Sequence, residues 1–139
     1  MLQRLQTVWL LLVAGFNGLT FKLPFYTGDW LRDTLPNSLV NLNAQLTPWF
    51  TALTVVTAAL ALITIFLYKD RKLQLKLCYL GIFLSAVLLT LYFLEMSHFQ
   101  GGTVAIWAVF YLGIIGSFIL ATRGILKDEK LIKSMDRLR

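Results

Sequence analysis

Four apolar stretches, each close to the length of a membrane-crossing helix, constrain this chain more than any other feature of its sequence. They cover about residues 5–25, 48–67, 77–96 and 103–122, and no acidic or basic residue lies in the middle of any of them. A helix needs about 20 residues to cross a bilayer core. Strands are excluded because the stretches are too long and lack polar–apolar alternation. The sequence therefore predicts four transmembrane helices.

The composition agrees with a membrane protein rather than a soluble domain. Of the 139 residues, 58% are hydrophobic and 14% are charged, whereas soluble domains carry about 25% charged residues. The length suits one compact unit. A single cysteine, Cys78, cannot form an internal disulfide. We therefore predict one membrane domain over residues 1–139.

Basic residues are distributed unequally between the two sides of the predicted spans. Eleven of the 13 lie before the first span, between the second and third, or after the fourth, and only Lys22 and Arg32 lie on the other side. Cytoplasmic loops of membrane proteins carry an excess of Lys and Arg. We therefore predict cytoplasmic N and C termini, and an even number of spans agrees. The net charge of +6 is thus a topology signal, and nucleic acid is not an expected partner.

The connections between the spans predict how the helices are arranged. In the outer loop 26–47, Asp29 is a candidate N-cap for a short helical turn through Leu35, and the loop is apolar enough to lie on the membrane surface or to cap the bundle. The glycine pair at 101–102 predicts a sharp turn, with Thr103 as the cap of the fourth span. Short connections place consecutive spans side by side. The predicted fold class is an all-α membrane protein, an antiparallel four-transmembrane-helix bundle.

Small residues recur at helix-neighbour spacing in the spans, where they let helix backbones approach closely in lipid. Packing within the bundle is one interpretation, and docking of another membrane protein, best on the fourth span, is the alternative. The candidate helix-packing or partner contacts are Ala14, Gly18, Gly81, Ser85, Gly113, Ser117 and Ala121.

The last segment, 123–139, has the pattern of a cytoplasmic basic amphipathic helix. Such a helix can associate with anionic lipid or bind a partner protein, and the two roles are compatible. The candidate tail contacts are basic (Lys127, Lys130, Lys133 and Arg137) and apolar (Leu131, Met135 and Leu138).

Several polar and aromatic residues of the spans also allow predictions. Asn17 is expected to hydrogen-bond across helices, the usual role of an amide in a membrane bundle. Tyr92 lies near a span end and is expected at the membrane interface, where amphipathic rings concentrate. Trp107 and Tyr111 lie deeper and are expected to pack between helices.

Residues that could carry chemistry are sparse. Glu95 and His98 have ligand-like spacing, but a metal site in a bundle needs such pairs from several helices, and the chain has one histidine. The sequence contains no phosphate-binding loop, dinucleotide fingerprint or serine nucleophile elbow. We therefore predict no catalytic residues, no cofactor, no metal site and no enzymatic activity.

The two ends of the chain resemble those of a known family. Residues 1–7 read MLQRLQT before a leucine run, residues 127–131 read KDEKL, and residues 136–139 read DRLR. This pattern is similar to a family of uncharacterised bacterial four-span membrane proteins with a domain-of-unknown-function label. Some members are labelled transcription termination factor Rho, which does not fit a chain without a phosphate-binding loop. The resemblance implies a Gram-negative inner membrane and supplies no activity.

These observations favour a non-enzymatic accessory or structural subunit of a larger bacterial inner-membrane protein assembly. The expected partners are membrane lipids and other integral membrane proteins. The alternative is a small oligomeric transporter or channel, since small multidrug transporters have a similar size and span number. Those transporters rely on an acidic residue in the first span, where this chain has Asn17.

Overall fold

A computed structural model describes residues 2–30 and 39–139, and each of the four predicted apolar stretches contributes a helix. The helices are α1 (Leu2–Leu19), α2 (Pro48–Phe66), α3 (Arg71–Met96) and α4 (Val109–Arg137). Among the described residues, three segments are long and apolar enough to cross a membrane, namely α2, α3 and the segment Ile106–Arg137 that contains α4. Within α1, Leu5–Leu19 is a shorter apolar helix. The helices therefore indicate a multi-pass membrane protein.

The helix bounds differ from those predicted at three places. α1 ends at Leu19 rather than near residue 25, and the chain turns there with Leu23 N–H still donating to Leu19 O at 2.9 Å. α3 begins at Arg71 rather than at residue 77. α4 begins at Val109, after a single 3₁₀ turn, rather than at Thr103. Hydropathy predicted where the helices lie but not where they end. α3 begins among polar residues before its apolar stretch, and α1 ends before the last apolar residues of its stretch.

Each helix packs on two neighbours. α1 contacts α2 and α4, and α3 contacts the same two helices. The interior of this bundle is filled by apolar side chains from all four helices, among them Val13, Ala61, Cys78 and Phe118. Pro48 occupies the first turn of α2, where its missing N–H leaves no intrahelical bond unmade.

A three-stranded antiparallel sheet closes one end of the bundle, which we call the sheet end. Its strands are β1 (Tyr26–Trp30), β2 (Leu39–Leu42) and β3 (Phe99–Val104), in the order β2-β1-β3. The predicted helical turn from Asp29 is wrong where the structure describes it, because Asp29 pairs with Leu39 and Gln100. Residues 31–38 lie outside the described residues. The all-α class is thus corrected to a mostly helical fold with a small sheet.

The glycines predicted to form a sharp turn instead allow two strands to approach closely. Gly28 pairs with Gly102, and a Cβ on Gly28 would lie 2.6 Å from the carbonyl oxygen of Gly101. Gly101 itself has a φ of 60°, which favours glycine because it has no Cβ. Thr103, predicted as a helix cap, pairs with Thr27 in the sheet. The sequence predicted a cap here instead of a strand because the strand that pairs with Thr103 comes from a distant part of the chain.

An aromatic cluster lies beneath the sheet. Phe25, Phe50, Tyr92 and Tyr111 are buried together, and the Tyr92 ring lies between Phe50 at 4.5 Å and Tyr111 at 4.7 Å, measured between ring centroids. The opposite end of the bundle, which we call the basic end, contains the turn 67–70 between α2 and α3. The two ends therefore differ in chemistry, aromatic at one and charged at the other.

Candidate functional site

Most of the predicted small-residue contacts take part in packing within the chain. A Cβ on Gly81 would lie 2.5 Å from Cε1 of Phe118, and a Cβ on Gly113 would lie 3.1 Å from Cε2 of Phe16. Three further members of the set are buried, namely Ser85, Ser117 and Ala121. These positions bring helices of the same molecule together. Contact of these residues with a partner protein stays a prediction.

The outward face of α1 is different, since it forms an open apolar groove. The groove has a volume of about 520 Å³. In the described part of the chain, no atom of another element lies within 4 Å of where a Cβ on Gly15 would be, and the same holds for Gly18. We call this surface the α1 groove, and it is lined by Val8, Leu11, Leu12, Gly15, Phe16 and Leu19.

Of the predicted contacts on α1, Gly18 is exposed and Ala14 is half-buried. Sequence reasoning singled out these two residues and missed Gly15, which lies inside the groove. The spacing of Val8, Leu11, Gly15 and Leu19, three to four positions apart, is the signal that could have identified it.

The predicted amphipathic tail continues α4 without a break as far as Arg137. Ile125 and Asp128 are still buried against the bundle. Beyond them the three apolar candidate contacts are exposed, with exposed fractions of 46% for Leu131, 63% for Met135 and 88% for Leu138. Lys127, Lys130, Lys133 and Arg137 are exposed as well. The tail therefore extends from the bundle with its apolar side chains largely uncovered.

A buried polar contact joins the start of this tail to α1. Gln6 Nε2 donates to Asp128 Oδ2 at 2.5 Å, and both side chains are buried. A Cβ on Gly124 would lie 2.9 Å from Cγ of Gln6, so glycine leaves room for the amide. Sequence reasoning missed this pair because 122 positions separate its members. The contact fixes α4 against α1 at the point where the tail begins.

A second groove lies at the basic end of the bundle. It is formed by the turn between α2 and α3 and by the first part of the tail. Its volume is about 640 Å³. We call it the basic groove, and it is lined by Tyr68, Lys69, Asp70, Arg71, Lys72, Glu129, Ile132 and Lys133. Four of these side chains are cationic and two are anionic, so the lining carries a net positive charge.

The charges of the basic groove act on one another across two elements. Lys133 Nζ lies 2.8 Å from Oε1 of Glu129. This hydrogen-bonded ion pair holds the pKa of Glu129 below its ordinary value, and the charges of Lys72 and Arg71 lower that pKa further. Residues of the turn, of α3 and of the tail line the same groove, so these segments form one charged surface.

Glu95 and His98, the pair with ligand-like spacing, do not share a helix face. α3 ends at Met96, and His98 N–H donates to Glu95 O at 2.9 Å in the turn before β3. Within residues 2–30 and 39–139, no group of three or more His, Cys, Asp or Glu side chains could hold a metal ion.

Asn17 and two aromatic residues differ from their predictions. The Asn17 amide donates to Val13 O of its own helix at 2.8 Å rather than across helices, because the carbonyl one turn earlier lies within its reach. Tyr92 is fully buried beneath the sheet rather than at an interface. Tyr111 packs between helices, as predicted, whereas Trp107 is exposed and stacks on Phe110.

Comparison with known proteins gives one match. A family model described as Domain of unknown function (DUF4293) matches residues 2–138. No curated protein and no solved structure matches the chain. The match covers nearly the whole chain, including both of the ends that carry the resemblance seen in the sequence.

Proposed function

The chain belongs to the DUF4293 family of unknown function, and from its surfaces we propose that it is a non-enzymatic accessory or structural subunit of a larger bacterial inner-membrane assembly. In this proposal all four helices cross the membrane. The apolar part of α1, Leu5–Leu19, is about 22 Å long at 1.5 Å per residue. This is shorter than a hydrocarbon core of about 30 Å, and a bilayer can thin locally around a short span. The excess of Lys and Arg places the basic end in the cytoplasm and the sheet end outside.

The observation that supports this function best is the exposed apolar face of the tail. Charged residues begin at Arg123 and recur to the end of the chain, so this part of α4 lies beyond the hydrocarbon. Leu131, Met135 and Leu138 are nevertheless exposed. Covering apolar surface stabilises a contact by about 25 cal/mol per Å². A partner that packs on this face would gain that free energy.

The α1 groove provides a second contact, inside the membrane. Lipid tails are as apolar as leucine, so helices associate there through close packing rather than through the hydrophobic effect. A glycine in the lining of a groove allows such packing, because it has no side chain beyond the backbone, and Gly15 is one of the residues that line the α1 groove. The partner we propose is therefore an integral membrane protein that contacts the tail in the cytoplasm and α1 in the bilayer.

Two tail variants test this function. One replaces Leu131, Met135 and Leu138 with serine, and the other replaces Lys127, Lys130, Lys133 and Arg137 with glutamine. Burying three such side chains is worth about 1.5–3 kcal/mol each at most, so we expect the serine variant to lower partner recovery by at least about tenfold after gentle solubilisation. The glutamine variant should lower it less, because exposed charges contribute little.

The two variants are controls for each other, since both change only exposed side chains in the last part of the chain. The measurement is the amount of partner that copurifies with the tagged full chain, normalised to the chain recovered. Equal recovery with both variants, or undiminished recovery after removal of the tail beyond Lys127, would show that the tail is not the docking element.

A further inference from the structure

We infer that the basic groove is a binding site for the phosphate-containing headgroup of an anionic phospholipid. This inference does not rest on the proposed function, because a lipid site would serve the protein with or without a partner subunit. It depends on the charge of the groove, on its fixed geometry and on the apolar side chains at its edge.

The charge of the groove fits an anion. Lys69, Arg71 and Lys72 follow one another closely at the start of α3, and Lys133 faces them from the tail. Glu129 already pairs with Lys133. The lining then still contains three cations, those of the turn and the start of α3, and one carboxylate, Asp70. Arg binds phosphate through a planar fork of donors, and Lys binds it as a point charge.

The segment that holds these cations is fixed to the bundle by hydrogen bonds. Gln74, which is buried, donates from Nε2 to Thr64 O of α2 at 3.2 Å. Across the turn, Asp70 N–H donates to Leu67 O at 3.2 Å, and Gln74 N–H donates to Asp70 O at 2.9 Å. The cations are thus presented by an ordered turn, so binding needs little rearrangement of the backbone.

The edge of the groove favours a lipid over a free phosphate ion. Phe66, at the end of α2, is exposed next to the turn, and Tyr68 and Ile132 line the groove with large exposed surfaces. Tyrosine concentrates at membrane–water interfaces, and basic pockets beside membrane helices bind anionic headgroups. Apolar side chains beside clustered cations match an acyl chain attached to a phosphate.

The experiment titrates phosphatidylglycerol into the full-length chain in neutral detergent and counts bound lipid by native mass spectrometry. Phosphatidylcholine is the neutral lipid, and inorganic phosphate is the soluble anion. We expect saturable retention of phosphatidylglycerol that neither of the other two reproduces or competes away. Binding of inorganic phosphate at equal concentration, with displacement of the lipid, would overturn the lipid assignment.

A matched pair of triple variants separates the groove from general electrostatic attraction. Lys69→Gln, Arg71→Gln and Lys72→Gln together remove three charges from the groove, and Arg123→Gln, Lys127→Gln and Lys130→Gln remove three exposed charges near the same end but outside the lining. The groove variant should bind at least about tenfold more weakly, at roughly fivefold per basic residue. Equal weakening in both variants would overturn the inference.

A substitution that should strengthen lipid binding provides a second test, which still decides the question if the groove variant folds poorly. Glu129→Gln removes a negative charge from the lining and releases Lys133 from its ion pair. We expect phosphatidylglycerol to bind about threefold or more tightly to this variant. Unchanged or weaker binding would show that the groove does not hold the headgroup.

Discussion

Replacing Tyr92 with alanine should lower the free energy of unfolding by about 3–5 kcal/mol, the range for deletion of a large buried aromatic side chain. Tyr92 is fully buried. Its ring stacks on Phe50 with an interplanar angle of 10° and meets Tyr111 edge-on at 75°. Each such pair contributes about 0.5–1.5 kcal/mol beyond its buried area. Deletion of the ring would therefore remove several contacts at once.

The loss of stability in the Tyr92→Ala variant should extend from the aromatic cluster to the sheet through Phe25. The Phe25 ring stacks against Tyr92 at 5.3 Å. Its backbone N–H donates to Leu42 O at 2.7 Å, and its carbonyl oxygen accepts from Ala105 N–H at 3.0 Å. Phe25 thus connects β2 with the segment that leads into α4. Hydrogen exchange at the Phe25 and Ala105 amides, the donors of these two bonds, should accelerate in the alanine variant.

Tyr92→Phe is the matched control for this experiment. Within the described part of the chain, the buried Tyr92 hydroxyl makes no hydrogen bond of regular geometry, although Thr54 and Tyr111 lie close to it, and removal of such a group costs little. We expect a change of less than about 1 kcal/mol, measured by denaturation in mixed micelles. Equal losses for alanine and phenylalanine would mean that the hydroxyl, not the ring, stabilises this end.

Replacing Gly81 with alanine should lower the free energy of unfolding by about 1–3 kcal/mol, because one extra methyl group overpacks a filled interior. The added Cβ would lie 2.5 Å from Cε1 and 2.6 Å from Cζ of Phe118. Phe118 is fully buried among core side chains, so its ring cannot move aside without displacing them. α3 and α4 would have to separate slightly to accept the methyl group.

The matched control is Gly116→Ala in α4. In the described part of the chain, no atom of another element lies within 4 Å of where its Cβ would be. Alanine is better than glycine in a helix by about 1 kcal/mol, so we expect this variant to be as stable as the parent or more stable. The same denaturation measurement applies to both. If both alanine variants behaved alike, close packing at Gly81 would not explain the effect.

The sequence allowed the helices to be predicted but not the sheet. An apolar stretch such as 48–67 is a local property, and a window of about 20 residues is enough to find it. The pairing of Thr27 with Thr103 depends on two segments far apart in the sequence. Their glycines and polar residues indicate turns and caps when each segment is considered alone. For the same reason the sequence places Tyr92 at the membrane interface, since the sheet that covers it depends on distant segments.

The candidate surfaces were predictable to different degrees. The amphipathic pattern of the tail is visible in the sequence, and the structure leaves Met135 and Leu138 exposed. The basic groove could not be predicted, because it combines residues 69–72 with residues 129–133. The same holds for the contact of Gln6 with Asp128. Each of these sites requires the helix arrangement to be known before its residues can be recognised as neighbours.

Site-specific photo-crosslinking in intact membranes tests most directly whether the protein is a subunit of a larger assembly. The photoreactive residue replaces Leu11 in the α1 groove, Met135 in the tail, or Phe83, a control on α3 outside both surfaces. The exposed fractions are comparable, at 52%, 63% and 63%. We predict a discrete adduct with the same integral membrane protein from Leu11 and from Met135, and none from Phe83. Lipid adducts alone at all three positions would contradict the proposed function.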